Sequence, residues 1–410
     1  MLKKEIRLIK NIPENWNAYV LSELGEFKNG INKDKSSFGF GVPFVNLMDV
    51  FGKSSIKNSS FSLVDATEKE QEIYNLQAGD ILFVRSSVKP EGVGQTCVVV
   101  ESLASTVYSG FLIRFRPDSK LINWQYATHC FDGSRFRQRL LVHSTVAANT
   151  NINQESLKQL AIQLPPLPEQ KAIAALLSTW DEAIEKTERL IQAKEKRFKW
   201  LLNDLIHVPT KEEMWKQVRM KSLFKERKEG NRGDLPLLSI TNSAGVIPHS
   251  ETNRKDSSNK DKSKYLRICS GDIGYNTMRM WQGVSALSTL EGIVSPAYTI
   301  CIPGEKLHSQ FVAYLFKTPF MIHRFYRYSQ GLTSDTWNLK FRHFSEVKMP
   351  LPSLEEQQQI SETLSSAQQE IDLLKQLADK YKTQKRGLMQ KMLTGEWRVK
   401  PEIVNQYREA

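Results

Sequence analysis

The chain has 410 residues and a mass of 47.1 kDa, enough for two or three domains of ordinary size. Hydrophobic residues at 40% and charged residues at 25% exclude wholesale disorder, and no run approaches the eighteen apolar residues of a membrane span. The formal charge of +12 points toward a polyanionic partner. Residues 1–5 lack the apolar stretch of a secretory signal. Cys97, Cys130, Cys269 and Cys301 are too far apart for a disulfide framework or a zinc site, and read as reduced core thiols of a cytoplasmic protein.

Taken in chain order, residues 1–163 form a first domain with short β-rich runs at 43–48, 80–85, 96–100 and 108–115 and a short helix at 123–130. Arg135, Arg137 and Arg139 alternate with Phe136 and Gln138 near its end, and Arg85 and Lys89 follow the second run. These five cations are candidate DNA contacts, because phosphate binding needs Lys and Arg. Leu164, Pro165, Pro166, Leu167, Pro168, Glu169 and Gln170 then form a junction, after which residues 164–208 read as a long helix starting near Pro168 or Glu169. Its apolar positions step by fours and threes through Ile173, Leu177, Trp180, Ile184, Ile191, Phe198 and Leu201.

Residues 209–352 repeat the first domain's character, with runs at 235–241, 272–276 and 298–302 and a helix at 309–316. Candidate DNA contacts here are Arg324 and Arg327, within an aromatic-rich segment, and a loop carrying Arg254, Lys255, Lys260, Lys262 and Lys264. The junction recurs 187 residues on as Leu351, Pro352, Ser353, Leu354, Glu355, Glu356 and Gln357. A second helix over 353–397 then carries Ile360, Leu364, Ile371, Leu374, Tyr381 and Leu388, stops by Gly395, and leaves a tail at 398–410. Further back the repeat drifts: Gly79, Asp80 and Ile81 answer to Gly271, Asp272 and Ile273, and Trp16 to Trp215.

A sustained 4-3 alternation is the signature of a coiled-coil seam. Two such helices bury both seams if they run antiparallel, so the expected fold is α+β: two similar domains joined by two long antiparallel coiled-coil helices with pseudo-two-fold symmetry. The charge agrees with this division. Residues 1–163 hold 19 Lys and Arg against 16 Asp and Glu, and residues 209–352 hold 22 against 13, while both helical stretches are neutral.

Catalytic motifs are not found. Gly52, Lys53 and Ser54 lack the earlier glycine of a phosphate loop, the acid at Asp118 has no nuclease companions, and no Asn/Asp-Pro-Pro-aromatic tetrapeptide marks an amino-methyltransferase. The seven histidines show no metal spacing.

The twin Pro-Glu-Gln junctions, each opening a long helix, and the Gly-Asp-Ile turns give the chain a resemblance to specificity subunits of type I restriction-modification systems, over about residues 10–398. The second junction departs from the pattern at Ser353 and Glu355, where the first has Pro166 and Pro168. The resemblance implies two target recognition domains, each reading half of a split double-stranded DNA site. It implies a non-catalytic chain that directs adenine methylation and cleavage by partners, two methyltransferase subunits together with motor-nuclease subunits. The implied cofactors, S-adenosylmethionine, ATP and Mg²⁺, belong to those partners, with none in this chain. The alternative reading is a free-standing regulator that binds a bipartite site alone. A nuclease with an unrecognised site is the rival from the enzyme class.

Overall fold

The computed structural model describes residues 5–6, 9, 12–146, 149–242, 244–252, 261–333 and 336–408. The chain divides into two compact units: unit 1 is Met1–Thr187 with Leu377–Ala410, and unit 2 is Glu188–Gln376. This differs from the linear partition expected above. Each long helix is shared between the units, and the tail belongs to unit 1.

In unit 1 a sheet forms from β1 (Gly25–Asn29), β2 (Ser55–Ile56), β3 (Ile81–Val84), β4 (Thr96–Val99) and β5 (Leu112–Pro117), in the order β1-β5-β3-β4-β2. All pairings are antiparallel except β4 with β2. β3 is buried throughout, and strand alternation sends its side chains to two cores. Ile81 and Phe83 join Trp16, Phe115 and Phe131 beneath helices α1 (Trp124–Asp132) and α2 (Ser134–Val142). Leu82 and Val84 join Val45, Val50 and Tyr108 in an outer lobe. The strand Asn17–Val20 pairs antiparallel with Ala161–Leu164, which leads through Pro165 and Pro166 into α3 (Leu167–Leu202).

Two expected strands differ. The run at 43–48 is strand only to Val45; Asn46 then caps a short helix, Leu47–Val50, its side chain accepting from the Leu47 amide at 2.7 Å. The run at 108–115 breaks after Tyr108, because Val107–Tyr108 pairs with Phe44 and Val45 whereas Leu112–Pro117 belongs to the main sheet.

Unit 2 has the same construction. β6 (Phe224–Arg227), β7 (Ile273–Asn276), β8 (Ser285–Leu287) and β9 (Tyr298–Pro303) order as β6-β9-β7-β8, all antiparallel. Trp215, Phe224, Tyr275, Phe311, Phe316 and Phe344 form its core with α4 (Ser309–Leu315) and α5 (Pro319–Tyr328). Lys216–Arg219 pairs with Lys348–Leu351, just before α6 (Leu354–Met392).

The two long helices run antiparallel within each unit. In unit 1 Ile173 and Leu177 share a core with Leu388 and Met392, the Trp180 and Tyr381 rings meet edge-to-face at 5.8 Å, and Asp181 pairs with Lys385. In unit 2 Phe198, Leu201 and Ile206 share a core with Ile360 and Leu364, and Lys194–Glu370 (2.6 Å) and Glu195–Lys375 (2.7 Å) bridge the helices. Several residues read as seam therefore belong to globular cores as well. Ile371 is buried, Ile184, Ile191 and Leu374 are half-buried, and none of the four belongs to either core. A strand-like domain of this size leaves one face of its sheet open, and the nearest half of each helix closes it.

Candidate nucleic-acid interface

The junction motif fixes where each helix begins. Gln170 is buried; its Oε1 accepts from the Asn123 amide at 2.9 Å, and its Nε2 donates to the carbonyls of Leu121 (3.1 Å) and Pro165 (2.9 Å). Gln357 repeats this with the His308 amide (2.9 Å) and the carbonyls of Lys306 and Pro352 (3.1 Å each). Each glutamine thus ties the start of a long helix to the loop that opens α1 or α4. Beside it, Glu169 takes a bidentate contact from Arg398 (2.6 and 2.7 Å), and Glu356 accepts from the Trp215 indole at 3.0 Å.

The Gly-Asp-Ile turns are a second shared device. Gly79 and Gly271 adopt φ of +90° and +91°, a left-handed conformation that favours glycine. The buried Asp80 receives Arg116 through Nε (2.7 Å) and Nη2 (2.6 Å), and Asp272 receives Arg227 through Nε (2.8 Å) and Nη2 (3.1 Å). Hydrogen bonding to these carboxylates raises the pKa of both guanidinium groups. The turns aim β3 and β7 at the loops that follow them.

Those loops meet a second segment in each unit. In unit 1 the Ile152 amide donates to the Arg85 carbonyl at 3.0 Å, and Ser86–Ser87 pairs with Thr150–Asn151. Val88 and Lys89 stand exposed at the tip, and a Cβ on Gly92 would lie 2.9 Å from the exposed Phe51 ring. In unit 2 the Leu339 amide donates to the Thr277 carbonyl at 2.8 Å. Trp337 there packs edge-to-face on Trp281 (5.2 Å) and Tyr326 (5.0 Å), beside exposed Met278, Arg279 and Arg327. Lys317 donates to the Gly283 carbonyl (2.8 Å) and Asn242 (2.6 Å), and burial pulls its ammonium down to about 8. Each unit thus offers two adjoining loops bearing cations, hydroxyls and amides with apolar tips. That combination suits phosphate anchoring together with base-edge and thymine-methyl contact.

The sequence candidates do not all stand free. Arg135, Arg137 and Arg139 lie on α2, where every second residue cannot share a face. Arg135 is exposed, but Arg137 turns inward and donates to the carbonyls of Glu91 (3.0 Å) and Val93 (2.7 Å), and burial lowers its pKa. Arg139 is half-buried. Arg85 spends one donor on the Gly110 carbonyl at 3.2 Å. Arg324 is likewise engaged, by Gln217 and the Lys348 carbonyl (2.6 Å each) and by the Phe320 ring at 4.1 Å. Lys262 lies 4.7 Å over the Tyr265 ring, and Lys264 is exposed. Arg254, Lys255 and Lys260 fall outside the described residues. Trp281 and Trp337 were not singled out by the sequence reading; they are 56 positions apart, and only the fold joins them.

Among the described residues no group of three or more His, Cys, Asp or Glu is placed to hold a metal ion, and no helix is long and apolar enough to cross a membrane. All four cysteines are free.

Comparison with known proteins matches residues 13–195 and 212–382 to the family model described as the type I restriction modification DNA specificity domain. The putative type I restriction enzyme MjaX specificity subunit of Methanocaldococcus jannaschii is 24% identical over 429 residues, covering 96% of each chain. The Escherichia coli EcoKI specificity subunit is 26% identical over 171 residues, 40% of this chain and 36% of that one. The crystal structure of a type I restriction-modification S subunit from M. genitalium matches with a TM-score of 0.57 at 14% identity, covering 93% of this chain and 96% of that one. A chain from a structure describing complex assembly of a type I R-M system gives 0.53 at 16% identity, covering 94% and 100%.

Proposed function

The chain belongs to the type I restriction-modification DNA specificity family, and from that premise we propose that it reads a two-part DNA target, one half through each unit. The observation that carries this reading is the recurrence of one loop pair, behind the same Gly-Asp-Ile turn and the same glutamine lock, in both units. Exposed cations such as Lys89, Arg279 and Arg327 set the position on the phosphates, and the neighbouring polar and apolar side chains read base edges.

On this reading the chain performs no chemistry. It directs adenine methylation by two methyltransferase subunits and cleavage by motor-nuclease subunits. S-adenosylmethionine, ATP and Mg²⁺ are held by those partners. Exposed Leu176, Leu190 and Trp200 on α3, and Leu373 and Leu377 on α6, supply apolar side chains for docking them. The site of action is the cytoplasm, where the target DNA lies.

The test is reconstitution. The purified chain, given target-bearing DNA, Mg²⁺ and S-adenosylmethionine, should leave the DNA unaltered, and adding the methyltransferase should produce methylation at one split sequence. Methylation or cleavage by the chain alone would overturn the reading.

A further inference from the structure

A cavity of about 620 Å³ opens within unit 1, between the start of α2, the strand Ala161–Leu164 and the last turns of α6. Its volume is that of a small-molecule site. Phe136, Ile162 and Leu393 give it apolar walls, and Arg135, Arg139 and Arg386 bring three guanidinium groups to it. None of the three guanidinium groups makes a hydrogen bond or ion pair among the described residues. Arg139 is half-buried, and burial lowers its pKa; the Glu5 carboxylate offsets part of that desolvation cost through space, without a hydrogen bond or ion pair to the guanidinium. Neither nearby acid pairs directly with these arginines: Glu5 contacts His143 through Oε1 at 3.1 Å and acts on Arg139 only through space, and Asp132, which also lines the cavity, accepts from the Thr96 hydroxyl at 3.2 Å. Unit 2 differs at the matching helix, where Arg324 on α5 donates through Nη1 to Gln217 and the Lys348 carbonyl and stacks on the Phe320 ring.

We propose that this cavity binds a small amphipathic organic anion, the arginines taking its acidic group and Phe136, Ile162 and Leu393 its aromatic or aliphatic body. A guanidinium facing an apolar pocket is the pairing such a ligand requires, since each half alone would be met equally well by water or by lipid.

The test uses the purified full chain and two fluorescent probes. One is 1-anilinonaphthalene-8-sulfonate; the other is N-phenyl-1-naphthylamine, the same body without the acid. The sulfonate should fill one saturable site. Arg386→Gln should weaken it by at least about tenfold, as the loss of one charge-assisted contact implies. Gln390→Trp, which fills the cavity from an exposed position on α6, should abolish it. The uncharged probe should bind weakly and be indifferent to Arg386→Gln. Because Arg386 and Gln390 are exposed, both variants should keep the parent's circular dichroism and melting temperature. Absence of saturable sulfonate binding in the parent, or unchanged affinity in a folded Arg386→Gln variant, would overturn the proposal.

Discussion

Replacing Gln357 by leucine keeps the volume of the side chain and removes its three hydrogen bonds. The Pro352 carbonyl it leaves behind is buried, and an unsatisfied buried acceptor costs about 1–3 kcal/mol. The His308 amide and the Lys306 carbonyl are only part-buried, so water recovers some of their loss, and each adds about 0.5–1.5 kcal/mol. The sum, about 2–6 kcal/mol, falls on unit 2 at the point where α6 starts. For a unit of about 190 residues this lowers the melting temperature by about 4–24 °C. Calorimetry of the full chain should show the loss in one transition, while Gln170→Leu shifts the other, because Gln170 makes the same contacts in unit 1. A shift below about 2 °C for Gln357→Leu would mean the contacts are incidental and that the junction owes its form to the prolines alone.

Arg398→Ala leaves the buried carboxylate of Glu169 without its bidentate partner; Arg398 is partly exposed, so the cost to unit 1 should be about 1–2 kcal/mol by denaturant titration, and Glu169→Gln should recover part of it. Lys89→Gln and Arg327→Gln should each flatten the salt dependence of DNA binding by about one in slope, measured by anisotropy on the assembled methyltransferase. Arg137→Gln should leave that slope alone and destabilise unit 1, because its guanidinium holds the 91–93 carbonyls rather than phosphate. His129 is held down to about 4, by burial first and by the Lys385 ammonium next, whereas in the unfolded chain it titrates at about 6.5. Between those values the unfolded chain binds the proton and the folded chain does not, so this histidine makes unit 1 lose stability as pH falls from about 6.5 toward 4, and His129→Gln should reduce that slope in pH-dependent melting.

The long helices were legible because their signals are local and repeated. Pro165 and Pro166 keep the helix from starting earlier, and the structure begins α3 at Leu167, just before the expected Pro168 or Glu169, because proline is tolerated in a first turn; the apolar steps and Gly395 bound α6, which ends at Met392. The strands at 80–85 and 272–276 were legible for the same reason, a glycine turn followed by apolar residues. What stayed hidden depends on distant partners. Glu169 and Arg398 lie 229 positions apart, and nothing in either neighbourhood announces the pair. The arginine clusters look uniformly exposed in a linear pattern, yet helix geometry turns Arg137 toward the 91–93 loop and Arg324 toward the Lys348 carbonyl. The 43–48 run shows the opposite failure: β-prone residues give way at Asn46, whose side chain prefers to cap a helix.

If each unit reads its own half-site while the helix pair sets the distance between the halves, lengthening the helices must lengthen the spacer alone. Inserting one heptad into each long helix, after Thr187 and after Leu374, adds about 10.5 Å of helix and keeps the antiparallel seam in register. At about 3.4 Å per base pair this lengthens the spacer by roughly three base pairs. Those base pairs also turn one half-site about a hundred degrees around the duplex, so some affinity is lost to DNA twisting or bending. The measurement is the map of methylated sites in a genome exposed to the variant with its methyltransferase. Unchanged half-sites separated by a longer spacer are expected; an active variant that keeps the original spacer, or that changes the half-sites themselves, would refute a ruler role for the helices.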